Sequence, residues 1–147
     1  MFWFQTESKF RASGRGLYLI TDELYSKVPE IRKLVVGTIH LFIKHTSASL
    51  TVNENADPTV REDFEAHLNH IVPEDMPYYK HTYEGPDDMP AHIKSSLIGP
   101  DLTLPIKDGK ICFGTWQGIY LFEHRDIPRE RTIVVTLNGR DKIVKNN

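Results

Sequence analysis

The sequence lacks the features that mark several common classes of protein. No stretch reaches the roughly 18 apolar residues of a membrane span. The first residues lack a basic segment followed by a long apolar run, so we expect no signal peptide. The net charge is only −2 over 147 residues, which gives no electrostatic reason to expect binding to nucleic acid or to a membrane. A single cysteine, Cys112, excludes an intrachain disulfide and favours the cytoplasm.

Several catalytic motifs are absent as well. The chain has no Walker loop, no Rossmann glycine pattern and no nucleophile elbow. It also has no internal repeat, low-complexity tract or linker. Its length is that of one domain with a real core, so residues 1–147 are expected to fold as a single unit.

Alternating apolar residues predict a chain dominated by strands. The predicted strands cover residues 2–10, 16–21, 37–45, 49–54, 102–106, 111–113, 119–125 and 132–137. Residues 11–16 are predicted to form a hairpin loop, and Asp108-Gly109 a tight hairpin turn. Helices are predicted after Thr21 or Asp22, after Asp57, and over residues 90–98. This pattern indicates an α+β domain with a largely antiparallel sheet or sandwich and about three helices.

Residues 81–92 form the segment richest in potential ligands. They contain two imidazoles and three carboxylates, interrupted by glycine and proline: His81, Glu84, Asp87, Asp88 and His92. Imidazole with carboxylate suits Zn²⁺, Mn²⁺ or Fe²⁺, and carboxylates alone suit Mg²⁺. The alternative is a solvated acidic loop with two incidental histidines, since the spacing matches no strict zinc motif.

A second polar segment follows the clearest predicted strand. His45 continues the aliphatic face of that strand, so its imidazole needs either a ligand or a partner in the core. The hydroxyls of Thr46, Ser47 and Ser49 could hold a phosphate with help from Lys44. Equally, a hydroxyl-rich turn commonly satisfies its own backbone.

Two further groups of polar side chains flank predicted strands. Asn53 and Glu54 stand at a strand end that needs neither of them, whereas the nearby Asp57 is explained as a helix cap. Trp116 and Gln117 lie between two glycines and could stack on and hydrogen-bond a ring, or could belong to the core and its rim.

The role of Glu123 depends on which strand face is buried. If the face of Ile119 and Leu121 is buried, the carboxylate must be paired or bound to metal. If that face is exposed, Tyr120 and Phe122 form the buried side instead.

The other residues of a reactive type have ordinary explanations. His67 and His70 are three apart on a predicted helix without a third ligand, and are interpreted as helix surface. Cys112 has no activating motif and is interpreted as structural.

Taken together, five segments resemble the YjbQ-like family over essentially the whole chain. They are residues 45–50 (HTSASL), 53–58 (NENADP), 81–85 (HTYEG), 90–92 (PAH) and 114–117 (GTWQ). Family members are labelled secondary thiamine-phosphate synthases, and their true substrate is poorly defined. The resemblance implies a homotrimer with a polar, histidine-lined pocket near subunit boundaries that can hold a metal ion.

The resemblance also assigns candidate residues. His45, His81 and His92 match the family's histidines, and we expect them to converge on one divalent ion, Zn²⁺ or Mg²⁺. The matching polar positions are Asn53, Glu54, Asp57, Glu84 and Glu123, while Asp88 stands where members often carry Asn. Glu123 or Glu84 is the expected catalytic carboxylate, with Glu123 preferred because of its strand face.

Three functions follow as alternatives. By resemblance, the protein would join a pyrimidine diphosphate to a thiazole phosphate and release pyrophosphate. The candidate loops carry few Lys and Arg residues for a diphosphate, so metal-assisted hydrolysis of a small phosphorylated or anionic substrate suits them better. A trimer that binds a metal or ligand without turnover would use the same side chains.

Overall fold

Two antiparallel sheets share one hydrophobic core. The computed structural model describes residues 1–142. In chain order its elements are β1 (Phe2–Ala12), β2 (Gly16–Leu19), α1 (Thr21–Lys27), a 3₁₀ helix (Pro29–Lys33), β3 (Leu34–Ile43), β4 (Ala48–Glu54), α2 (Pro58–Ile71), α3 (Asp88–Ile98), β5 (Asp101–Lys107), β6 (Lys110–Ile111), β7 (Gln117–Glu123) and β8 (Arg129–Asp141). The larger sheet has the order β1-β8-β3-β5-β6, and the smaller one β2-β7-β4. The α+β prediction is confirmed.

The core lies between the sheets and follows from strand alternation. Ile39 and Leu41 of β3 are buried, as are their register partners Leu137 and Val135 on β8. Full burial of such an aliphatic side chain contributes about 1.5–3 kcal/mol. In β7 the alternation disappears, because both faces are covered and Tyr120 is as buried as its neighbours. Its hydroxyl accepts a hydrogen bond from Arg61 of α2, which lies over the outer face of the small sheet.

One predicted hairpin is wrong and the other is correct. Strand β1 pairs with β8 and β2 with β7, so residues 11–16 cross from one sheet to the other. Gly14 and Gly16 both have φ of 145°, which lets the chain change sheets over a short distance. By contrast, Asp108 and Gly109 have φ of 50° and 76° and join β5 to β6, as a primed turn requires.

The first two helices begin in different ways. Asp57 caps α2 as predicted, since its carboxylate accepts a 2.9 Å hydrogen bond from the amide of Thr59. Helix α1 follows Ile20, which provides no side-chain cap. Thr21 does not act as the predicted cap, because its hydroxyl instead accepts a hydrogen bond from the amide of Ile119 on β7.

Helix α3 starts at Asp88, slightly earlier than predicted, and is attached directly to β4. Ser95 donates a 2.9 Å hydrogen bond to the carbonyl of Ala48, and the amide of Leu50 donates to the carbonyl of Gly99. Gly99 ends the helix with φ of 111°. Within residues 1–142, none of the helices combines the length and apolar composition needed to cross a bilayer.

Candidate metal centre

Three side chains with metal-binding atoms meet at the start of α3. Asp88 Oδ2 lies 2.8 Å from His81 Nε2 and 3.2 Å from His92 Nε2. The two imidazole rings are 5.3 Å apart between centroids. All three candidate ligand atoms lie within 4.8 Å of one another. These residues form what we call the His–Asp cluster.

The local sequence explains this convergence. Asp88 and His92 are four residues apart on α3, so their side chains share one face of the helix. Gly85 has φ of 103°, and its carbonyl accepts a hydrogen bond from the amide of Asp88. This turn returns the chain so that His81 reaches the same carboxylate from the preceding loop. The predicted meeting of His81 and His92 therefore occurs.

The environment of His92 leaves its Nε2 available as a ligand. Its Nδ1 lies 2.9 Å from the carbonyl oxygen of Thr46, which can only accept a hydrogen bond. The neutral ring consequently carries its hydrogen on Nδ1 and a lone pair on Nε2. That lone pair faces a carboxylate oxygen of Asp88, and two acceptors at 3.2 Å need a proton or a cation near them. The cluster thus has the donor chemistry of a metal site.

A buried arginine holds the carboxylates of the loop. Arg125 donates hydrogen bonds to Asp88 Oδ1 at 2.7 Å, Asp87 Oδ2 at 2.9 Å and the carbonyl of Glu84 at 2.8 Å. Burial opposes the ionisation of Asp87, but the hydrogen bonds from Arg125 and from the amide of Asp126 keep its pKa below the ordinary value. Burial likewise opposes the charge of Arg125, yet the bond to Asp87 raises its pKa. Nothing in the sequence around Arg125 predicted this role.

His45 lies outside the His–Asp cluster. Its Nε2 accepts a 2.8 Å hydrogen bond from the amide of Thr132, so that lone pair serves the backbone. Burial, with the charge of Arg131 adding to it, lowers the pKa of His45. The imidazole borders a cavity of about 240 Å³ that also contacts Thr46 and His92. Two of the three expected histidines therefore lie in the His–Asp cluster, and a role of His45 in holding a metal stays a prediction.

Glu123 is buried and belongs to an internal ion pair. Its side chain is fully buried at the end of β7, where Oε2 accepts a 2.6 Å hydrogen bond from Arg131 Nε. Oε1 accepts a further bond from Arg131 Nη2 and a 3.0 Å bond from the amide of Arg125. These three hydrogen bonds explain the buried carboxylate without a metal, and the expected catalytic role of Glu123 stays a prediction.

Glu84 is the other expected catalytic carboxylate, and it stays next to the cluster. Its side chain is 64% exposed, with Oε2 at 3.6 Å from Arg125 Nη1. The same Nη1 binds Asp88, so the exposed Glu84 carboxylate lies beside the buried carboxylate of Asp88.

The hydroxyl-rich turn after β3 serves mainly structural contacts. Ser47 Oγ accepts a 2.9 Å hydrogen bond from Arg131, and Ser49 Oγ lies 2.8 Å from His124 Nε2 in the buried interior. Burial, helped by the charge of Lys94, lowers the pKa of His124 to about 3. Among the described residues, Nδ1 of His124 has no hydrogen-bond partner. Of the turn, only the carbonyl of Thr46 touches the His–Asp cluster.

Lys44, expected to help bind a phosphate, makes a surface contact instead. Its ammonium group lies 2.8 Å from Glu7 Oε1 on β1, and both side chains are about half exposed. Because of this ion pair, the charge of Lys44 is only partly available to a ligand.

Four expected substrate-binding residues lie at the opposite end of the small sheet. Asn53 and Glu54 end β4, and Glu54 pairs with Gln117 at the start of β7. Gln117 accepts a 2.8 Å hydrogen bond from the amide of Gly114, and Trp116 is 62% exposed. The seven residues of β4 are separated by six steps of about 3.4 Å, which place this end about 20 Å from the beginning of the strand. Within one chain, the expected substrate residues therefore do not form one site.

The histidines and the cysteine to which no functional role was assigned lie on the surface. His67 and His70 are exposed on α2, as predicted for helix surface. Cys112 is a free, exposed thiol beside β6.

The fold and the cluster together define a class of protein: a small α+β domain of two antiparallel sheets with a partly exposed His–Asp cluster at the start of a helix. Residues 6–140 match the family model described as UPF0047 protein YjbQ-like. The chain belongs to this family.

Relatives and solved structures agree with that assignment. The UPF0047 protein YjbQ of Escherichia coli O157:H7 is 49% identical over 137 residues, which cover 93% of this chain and 99% of the relative. A UPF0047 protein of Synechocystis is 47% identical over an alignment that covers 86% of this chain and 85% of the relative. The crystal structure of an uncharacterized conserved YjbQ/UPF0047-family protein from Clostridium acetobutylicum has a TM-score of 0.79 and 37% identity, covering 90% of this chain and 99% of that one.

Proposed function

We propose that the protein is a metal-dependent enzyme that acts on a small phosphorylated or otherwise anionic substrate. A divalent cation would be held by His81 Nε2, Asp88 Oδ2 and His92 Nε2. The observation that carries the proposal is the placement of these three atoms within 4.8 Å of one another, with the two imidazoles partly exposed and the Asp88 carboxylate buried between them and the interior.

The donor set favours Zn²⁺, Mn²⁺ or Fe²⁺ over Mg²⁺. Two imidazole nitrogens with one carboxylate oxygen suit these ions, whereas Mg²⁺ prefers oxygen ligands. Three protein ligands leave at least one position for substrate, as in catalytic rather than structural zinc sites. Such a cation would act as a Lewis acid on an anionic oxygen of the substrate.

The surrounding residues have distinct roles in this proposal. Arg125 fixes Oδ1 of Asp88 and so directs Oδ2 towards the histidines. The carbonyl of Thr46 fixes the tautomer of His92. Glu84 has an exposed carboxylate beside the cluster and is our candidate for the group that takes a proton during reaction.

Hydrolysis has more support than the transferase reaction implied by the resemblance. A diphosphate needs several free cationic groups, but Arg125 is occupied by Asp87 and Asp88. Arg131 is occupied by Glu123. The thiamine-phosphate-synthase-like activity stays a prediction from resemblance, as does a non-enzymatic metal-binding trimer. The incomplete ligand set favours an enzyme over the latter.

We also propose that the chain assembles as a homotrimer in the cytoplasm. The outer face of the large sheet carries exposed apolar side chains, among them Trp3 at 67%, Val36 at 50% and Phe42 at 42%. Exposed apolar side chains on one face of a sheet favour an interface. The single cysteine supports the cytoplasmic location, because it cannot form an intrachain disulfide.

Zinc titration followed by calorimetry tests the metal site. The native protein is expected to bind one Zn²⁺ per chain, and His92→Ala is expected to lose it while keeping its fold by circular dichroism. His67→Ala removes an exposed histidine of α2 and is the matched control, with binding unchanged. The zinc-loaded protein is then assayed for phosphate release from a panel of phosphate esters. Absence of zinc uptake, or equal uptake by His92→Ala, contradicts the metal site.

A further inference from the structure

A surface depression shares His81 with the His–Asp cluster. It has a volume of about 410 Å³, within the range of small-molecule sites. We call it the Tyr78 groove, and its lining residues are Tyr78, Tyr79, Lys80, His81, Met89 and Ile93. His81 belongs to both the groove and the cluster, so a molecule in the groove would be next to the proposed metal.

Helix α3 provides one wall of the groove. Met89 and Ile93 are four residues apart and each follows a cluster residue, Asp88 or His92, in the sequence. The same helix therefore directs two ligands to one side and two apolar side chains to the adjacent side. A thioether beside a branched aliphatic group gives an adaptable apolar surface that makes favourable contacts with aromatic rings.

Two tyrosines provide the other wall. Tyr79 is held in place, because its hydroxyl donates a 3.0 Å hydrogen bond to the carbonyl of Pro73. Tyr78 packs edge-on against it, with ring centroids 5.2 Å apart and an interplanar angle of 86°. Tyr78 itself is 69% exposed, so most of its ring remains available for stacking.

The groove also carries a positive charge. Lys80 is exposed on its wall, and among residues 1–142 its ammonium group makes no ion pair. A mainly apolar groove with one free cation, ending at a candidate metal, fits a molecule with an apolar body and an anionic group.

We propose that the Tyr78 groove binds the ring of an aromatic or heteroaromatic phosphate ester. The ring stacks on Tyr78 and contacts Met89 and Ile93, while the phosphate lies between Lys80 and the His–Asp cluster. This proposal rests on the proposed function and specifies its substrate class.

Phenylphosphonate and methylphosphonate test the proposal, because they differ by the ring and neither can be hydrolysed at its C–P bond. Zinc uptake of the native protein is measured first, and the affinity of the zinc-loaded protein for each phosphonate is then measured by calorimetry. We expect phenylphosphonate to bind about tenfold more tightly, as a stacked and partly buried ring should. Tyr78→Ala should reduce that ratio to near one.

Two further variants complete the test. Tyr83→Ala removes a tyrosine that is 94% exposed and does not line the groove, and it should keep the tenfold ratio. Lys80→Gln should weaken both phosphonates severalfold while leaving the ratio between them. If the zinc-loaded native protein binds the two phosphonates with equal affinity, the proposed ring site is wrong, but the proposed metal site is not contradicted. Absence of zinc uptake overturns the proposed function and this proposal with it.

Discussion

Arg125 donates a 2.7 Å hydrogen bond from Nη1 to Oδ1 of Asp88, so the two oxygens of that carboxylate contact different groups. Oδ1 is tied to the interior, and Oδ2 faces both histidines of the cluster. Arg125 thus links the interior of the small sheet to the proposed metal, although it is not itself a ligand.

Arg125→Met is expected to weaken zinc binding by about 10- to 100-fold, the usual effect of losing a group that orients a ligand. It should also destabilise the fold by about 3–5 kcal/mol, because Asp87 and Asp88 would stay buried without their cation. Calorimetry well below the unfolding temperature separates the two effects. Arg11→Met alters an exposed arginine of β1 and should change neither. Normal zinc affinity in Arg125→Met would remove its positioning role.

Glu123→Leu is expected to destabilise the protein by about 3–5 kcal/mol, because Arg131 would be left as an unpaired buried charge. Zinc affinity should stay within about twofold of the native value, because the carboxylate makes no contact with the cluster. Urea unfolding and zinc calorimetry provide the two measurements. A complete loss of zinc binding in a folded Glu123→Leu protein would instead support a role of Glu123 as a partner of the metal.

Stability should fall as the pH is lowered from about 6.5 towards 4.5. His124 has its pKa lowered to about 3 in the folded protein, so the unfolded chain binds one more proton within this window. One such proton changes the free energy of unfolding by about 1.4 kcal/mol per pH unit. His124→Gln should reduce the slope by that amount in urea unfolding experiments. Asp87 adds its own pH dependence only below this window, because its pKa is lowered from 3.8.

His45 contributes in the same direction, but both proteins contain it, so the difference in slope isolates His124. His67→Gln replaces an exposed histidine and should leave the slope unchanged. Equal slopes in the native protein and in His124→Gln would mean that His124 is not held neutral.

Zinc should raise the melting temperature of the native protein. A ligand at 100 times its Kd stabilises the folded state by about 2.7 kcal/mol. For a chain of this length that corresponds to about 5–10 °C. Differential scanning calorimetry with and without zinc measures the shift, and excess EDTA should reverse it. An equal shift in His92→Ala would place the zinc elsewhere.

Light scattering should give the mass of three copies of the 17.0 kDa chain at micromolar concentration. Trp3→Glu places a charge on the exposed apolar face of the large sheet and should shift the mass towards that of one chain. Tyr83→Glu places the same charge on the exposed loop and serves as the control. A native protein with the mass of one chain would rule out the trimer.

Local sequence patterns predicted the helices and strands well, because the formation of these elements depends mainly on residues that are neighbours in sequence. Alternation identified β3 and β8, and Asp57 identified the start of α2. The segment 11–16 was misread as a hairpin because its two strands join different sheets, which local residues do not encode.

The candidate site was predicted in part for the same reason. His81 and His92 lie close in sequence and do converge. The contact of Asp88 with His92 can be read from their i, i+4 spacing, provided that α3 begins two residues earlier than predicted. Arg125 was not readable, because its link to Asp88 joins residues 37 apart through tertiary packing.

The position of β4 has a consequence for how substitutions combine. Its first residues lie near the turn that touches His92, and its last residues lie about 20 Å away beside Gln117. Groups so far apart in one chain share no partner, so their free-energy effects should simply add. Replacing His81 and His92 together should reduce the free energy of zinc binding by less than the sum of the two single losses, since either loss already removes a ligand of the proposed ion. Additivity of these free-energy changes can therefore show whether two groups of one chain belong to the same site.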